Sequence, residues 1–310
     1  MALNPRSLLR KPYADPVRMQ KSLQKVGIPR PLRDRIVIGA KSLLAPGEVE
    51  ARKRSAGALP EPACTAIARF RELGSGMLDR EALPSAPAAA AAMQALFDGM
   101  EARGEVKKPD SERKADFLVQ LAGNEDVLSI EAARNFALSD ELLALTSHYF
   151  GEVPLLSRID FWWSPPNDSK AESQLYHYDG EDKSQLKVIL CVNDVDADTG
   201  PFTFVDAEGS AKVAGTKRHS ARLDDEAVEA IAGPEAVTAL TGPSGTVGAV
   251  DTSRCLHYGS RGNSKARLIL MIQYTRFLAP KASMPDWGTV LEPGALAGLD
   301  RNRKLLLNLA

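Results

Sequence analysis

Tyr176-His177-Tyr178-Asp179-Gly180, followed by the apolar run Val188-Ile189-Leu190, is the stretch on which the reading of this chain turns. Side chains on extended backbone alternate with period 2, so His177 and Asp179 face one way and Tyr176 and Tyr178 the other. The tyrosines then pack in a core, and the histidine and aspartate supply two members of a ligand set. His257 stands at the end of another extended run, Thr246 to Asp251 and on through Cys255. Arg267 opens a third apolar strand, Leu268-Ile269-Leu270-Met271-Ile272.

Two histidines and one carboxylate, with the remaining coordination positions open, make the facial triad of non-haem Fe(II) sites. A lone His-x-Asp says little, because it equally suits the polar face of a half-buried strand. Three features strengthen it here. The chain has four histidines, His148, His177, His219 and His257, and the last falls where a distal ligand is wanted, after a Gly-Pro-Ser-Gly turn and an apolar strand. Arg267 lies at the head of a strand where a buried cation needs an anionic partner, such as an acidic co-substrate. Thr199-Gly200-Pro201-Phe202 makes a tight turn after the strand that follows His177.

The sequence, 310 residues with 39 Lys plus Arg against 40 Asp plus Glu, carries no global field directed at nucleic acid or an anionic membrane. An apolar share of 44% suits an ordinary globular chain with a substantial core. Cys64, Cys191 and Cys255 lack a CxxC spacing and fit a reducing, cytoplasmic setting. The N-terminus has no apolar signal region, and no run approaches the ~20 apolar residues of a membrane span.

Residues 1–60 read poorly and stand as an N-terminal extension, with Arg52-Lys53-Arg54 as a solvated basic cluster. Residues 61–280 are expected to form a single catalytic domain, helical over 61–150 and β-rich over 154–278, with 281–310 as a Pro/Gly-rich tail. Gly74 caps one helix, Pro87 opens another, and Ser139 starts a third that ends before Gly151. Strands are expected at 156–163, 174–178, 185–193, 201–205, 246–251, 256–258 and 267–275, and a helix at 224–240. The fold class is α+β: a double-stranded β-helix (jelly roll) with a helical N-terminal half packed against it.

These blocks resemble the phytanoyl-CoA dioxygenase-like family of Fe(II)/2-oxoglutarate-dependent oxygenases. The resemblance covers about residues 140–278. It is carried by Gln174-Leu175-Tyr176-His177-Tyr178-Asp179, Leu186 through Val195, Gly200-Pro201-Phe202 and Asp251-Thr252-Ser253-Arg254-Cys255-Leu256-His257. Where that family often has Gly-Ser-His, this chain has Gly209-Ser210-Ala211.

The resemblance implies that His177, Asp179 and His257 bind Fe(II) and that Arg267 pairs with the distal carboxylate of 2-oxoglutarate. It implies consumption of O2, release of succinate and CO2, and oxidation of a small-molecule C–H bond. An aspartate at 179 argues against halogenation and for hydroxylation or a related oxidation such as desaturation, cyclisation or epimerisation, since halogenases of this fold have a small residue there. The competing enzyme reading is a Zn2+ hydrolase or isomerase on the same three ligands. The non-enzyme reading is a β-sandwich binding module.

Other residues carry weaker expectations. Gln174 is placed to hydrogen-bond 2-oxoglutarate or substrate, and reads equally as a plain strand residue. Trp162 and Trp163 are core or rim. Lys183, Lys187 and Arg261 are cations near the mouth that would suit an anionic substrate, and otherwise read as solvated loop charges. His148 is a surface or core-edge residue, and His219 reads as loop or lid.

Overall fold

Runs rich in Val, Ile, Leu and aromatic residues form two antiparallel sheets in a structure, a computed structural model, that describes residues 16–107, 117–180, 182–216, 222–280 and 285–310. In chain order the strands are β1 (Ser75–Met77), β2 (Val119–Ala122), β3 (Leu155–Ser164), β4 (Gln185–Cys191), β5 (Thr203–Val205), β6 (Val237–Ala239), β7 (Val247–Asp251), β8 (His257–Tyr258) and β9 (Arg267–Thr275). The larger sheet runs β1-β7-β4-β9-β3-β2, and the smaller runs β6-β5-β8.

Alternation assigns each face of the larger sheet. Leu186, Val188 and Leu190 of β4 fall in one core with Leu268, Leu270, Ile272 and Tyr274 of β9 and with buried helical residues. The intervening Ile189, Cys191 and Ile269 pack instead against Phe202 and Phe204 of the smaller sheet's side. Val205, outward on β5, joins Tyr176 and Leu256 in a third cluster beneath two further helices. The layers are therefore helices, large sheet, small sheet, helices.

The helices begin with α1 (Pro16–Lys25), α2 (Arg30–Leu44) and α3 (Pro46–Gly57), so the described part of the segment that read poorly is largely helical. Half of its described buried side chains are polar, and Arg52 is not the solvated charge expected of its cluster. Lys41 donates to the Phe277 carbonyl, and Arg52, fully buried, donates to the carbonyls of Val153 and Pro154 and pairs with Glu48 at 2.8 Å. Next come α4 (Ile67–Leu73), α5 (Ala86–Ala102), α6 (Asn124–Ser129), α7 (Glu131–Ala137) and α8 (Asp140–Phe150). The expected ends hold: Gly74 and Gly151 cap in the left-handed region, and Ser139 accepts from the Leu142 N–H. Then follow α9 (Ala207–Thr216) and α10 (Asp225–Ala232). The tail forms α11 (Trp287–Val290), α12 (Pro293–Ala297) and α13 (Arg301–Leu306), and Trp287, Leu305 and Leu306 are buried in the main core. No helix among the described residues is long and apolar enough to cross a membrane.

Three expectations need correction. The helix expected over 224–240 ends at Ala232, because Gly233-Pro234 breaks it, and Val237–Ala239 becomes an edge strand on β5. Residues 174–178 are not a ladder strand: a 3-10 turn at Glu172–Gln174 leads into isolated bridges, Tyr176 with Leu223 and His177 with His257. Cys255 lies in the turn after β7 rather than in a strand, though it is buried.

Candidate metal centre

His177, Asp179 and His257 come together, with one ligand atom from each lying within 4.8 Å of the others. His257 sits on β8 opposite Phe204, which turns it toward the larger sheet. His177 is fixed by paired backbone hydrogen bonds with His257, and Asp179 by its N–H to the Thr252 carbonyl at 2.8 Å. Extended backbone through these residues gives the alternation expected of a strand without a full ladder. Tyr176 and Tyr178 accordingly face away: Tyr176 packs edge-on to Tyr258, and Tyr178 donates to the Ser210 carbonyl.

Both imidazoles are held in the same way. Nδ1 of His177 lies 2.9 Å from the Leu175 carbonyl, and Nδ1 of His257 lies 3.0 Å from that of Cys255. A carbonyl only accepts, so each Nδ1 carries the proton and each Nε2 keeps its lone pair for the centre of the cluster. The two Nε2 atoms stand 3.9 and 3.5 Å from the Asp179 carboxylate. Burial, then the neighbouring His257, lowers the His177 pKa to about 3, and burial likewise lowers that of His257. Both are neutral at physiological pH. Burial opposes ionisation of Asp179, but the Lys187 ammonium, followed by His257, outweighs it and holds the carboxyl well below its usual range. Two neutral imidazoles and one carboxylate fit a divalent transition metal.

Arg267 lies on β9, on the face shared with Ile269, and is only 1% exposed. It donates to the Gly200 carbonyl at 2.8 Å and the Ser164 hydroxyl at 3.3 Å, while its Nε has no partner. It makes no ion pair among the described residues, and burial lowers its pKa to about 10. Gly200, at φ 65°, shapes the turn beneath it; a side chain there would meet the Ser260 hydroxyl at 2.8 Å. The same turn leads into Phe202, whose ring stands 5.5 Å from that of His257.

The weaker candidates separate. Gln174 is buried and saturated: its oxygen accepts from Ser169 and the Ala171 N–H, and its nitrogen donates to Asn167 and the Ser260 carbonyl. It fastens the loop and has no hydrogen bond left for a ligand. Lys187 is not a loop charge: it lies on β4, with Nζ 2.7 Å from Asp179. Arg261 stacks 3.4 Å above the Tyr258 ring and pairs with Asp225, so it too is fixed. Lys183 is exposed at a cleft mouth, Trp162 faces the space between the sheets, and Trp163 joins the main core. His148 bonds the carbonyls of Leu59 and Pro60 at the core edge. His219 lies outside the described residues.

Sequence reasoning missed Gln185 and Gln273, which hydrogen-bond at 3.1 Å, Gln185 also reaching Asp179. They alternate with apolar residues in phase with Lys187 and Arg267, and that phase was the available signal.

No family model matches the chain, and no curated protein does. Solved structures similar to it include AviO1 from Streptomyces viridochromogenes Tue57, at 20% identity over 70% of this chain and 96% of that one, TM-score 0.45. The alpha ketoglutarate dependent carbocyclase SnoK from nogalamycin biosynthesis is 15% identical over 71% of this chain and 86% of its own, TM-score 0.46. EctD from S. alaskensis, with 2-oxoglutarate and 5-hydroxyectoine, is 15% identical over 69% and 76%, TM-score 0.47.

Proposed function

We propose that this chain is an Fe(II)- and 2-oxoglutarate-dependent oxygenase that hydroxylates a small molecule, its two sheets wound as a double-stranded β-helix. The observation that carries the reading is Arg267, a buried guanidinium without an anion, in the same inter-sheet space as a His-Asp-His cluster. A buried unpaired cation is costly unless a ligand completes it, and a guanidinium fork matches a carboxylate at two points. The three buried free thiols suit a reducing compartment, which we take to be the cytoplasm.

His177 and His257 would hold the metal through Nε2 and Asp179 through its carboxylate, with Arg267 gripping the distal carboxylate of 2-oxoglutarate. When bound, iron and the keto acid supply the oxidation: O2 gives one oxygen to the keto acid, which leaves as succinate and CO2, and one to a substrate C–H. The chain's own residues orient and screen. The Leu175 and Cys255 carbonyls fix the imidazoles, Lys187 balances Asp179, and Phe202, Ile189 and Ile269 form an apolar wall that keeps out water.

The test is an anaerobic titration of the metal-free protein with Fe(II) and then 2-oxoglutarate, following the visible charge-transfer band of the iron–keto acid chelate. The band is expected in the wild type, absent in His177→Ala, and shifted to higher 2-oxoglutarate concentration in Arg267→Ala. Stoichiometric iron without a band would favour the hydrolase or isomerase reading, and no bound iron would sink both.

A further inference from the structure

A cleft of about 650 Å³ opens onto His177 and Asp179, and α2 forms its outer wall. Among the described residues four cations line it: Arg30 and Arg35 from α2, Lys183 from the loop before β4, and Arg222 from the approach to α10. The described acidic residues there are committed. Asp182 is clasped by Arg276 at 2.5 and 2.8 Å, Asp34 accepts from Gln20 at 2.6 Å, and Asp179 pairs with Lys187. Arg30 is held by the Gly180 carbonyl at 2.7 Å, directly over the metal-binding turn. Arg35, Lys183 and Arg222 make no ion pair with any described residue.

Like charges brought from three chain segments into one concavity repel one another, and the walls of a cleft focus their field. On a convex surface the same charges would be better solvated and further apart. The arrangement is favourable once an anion enters, and the volume is that of a small-molecule site. We propose that this cleft binds a phosphate or carboxylate group of the substrate, with α2 as the specificity element. That anchor would place a neighbouring C–H of the same molecule beside the metal ligands. The inference rests on the oxygenase reading and names its substrate class.

The test titrates the metal-free full chain with inorganic phosphate, inorganic pyrophosphate and malonate by calorimetry. Arg35→Glu, Lys183→Glu and Arg222→Glu are compared with the wild type, and the iron–keto acid band is recorded for each. One equivalent of anion is expected on the wild type, weakened about tenfold or more by each reversal, with the band unchanged. Preference for the phosphates or for malonate then identifies the anchoring group. No saturable binding, or binding unchanged in all three variants, overturns the inference while an intact band leaves the oxygenase reading standing. Anion binding without any band in the wild type removes the oxygenase reading and the substrate assignment with it.

Discussion

Nζ of Lys187 lies 2.7 Å from Oδ2 of Asp179, so the carboxylate of the candidate metal site already carries a cation supplied by β4. A divalent ion arriving at Asp179 must displace or tolerate that ammonium. Lys187→Met is therefore expected to have two effects of opposite sign. The metal-free protein should lose about 1 kcal/mol of stability, because Asp179 keeps its charge and loses its partner. Its affinity for Co(II), followed by the ligand-field spectrum, should rise about tenfold. A fall in both quantities would show that Lys187 supports the metal geometry instead of competing with it.

Gln174→Leu separates loop fastening from ligand binding. Four hydrogen bonds disappear and buried partners such as the Ser260 carbonyl go unpaired, so a loss of roughly 2 kcal/mol is expected in urea unfolding. The 2-oxoglutarate concentration at half-saturation of the iron chelate band should stay within about twofold of the wild type, against tenfold or more for Arg267→Lys. A large rise for Gln174→Leu would return that side chain to the ligand site.

Arg52→Ala tests whether the N-terminal helices belong to the same cooperative unit as the sheets. The substitution leaves the Val153 and Pro154 carbonyls unpaired, at about 1–3 kcal/mol each. The urea midpoint should fall with its slope unchanged. A separate early transition confined to the helices would contradict a single unit.

Lys41 gives a pH signature. Burial, then the nearby Arg52, lowers its folded pKa to about 8, below the ordinary value of 10.5. Between those values the unfolded chain binds the extra proton, so stability increases as pH rises from about 8 toward 10.5 and is lost again on the way down. The difference in unfolding free energy between wild type and Lys41→Met should show that slope, and a flat difference would place the shift elsewhere.

These residues also explain what was legible in the sequence. The run opened by Arg267 carries a long apolar alternation, and β9 has the bounds expected of it. His177 and Asp179 were found because extended backbone alternates whether or not a ladder forms. Lys187 was misjudged as a loop charge, although it stands between Leu186 and Val188 and so had to face the site when they faced the helices. The helices between residues 16 and 57 were hidden in part because two of their buried anchors, Lys41 and Arg52, are charges that a hydrophobic pattern does not register. Val237–Ala239 was drawn into the preceding helix because three residues are too few to show a period.

The carbonyls of Leu175 and Cys255 have a thermodynamic consequence for the whole centre. With both rings tethered through Nδ1, their rotational freedom disappears when the chain folds, not when an ion arrives. Capture of a metal there would then carry little ordering entropy, and removing the ion should leave the protein folded with its donors still in register. That distinguishes this centre from sites in which the metal is what makes the chain fold.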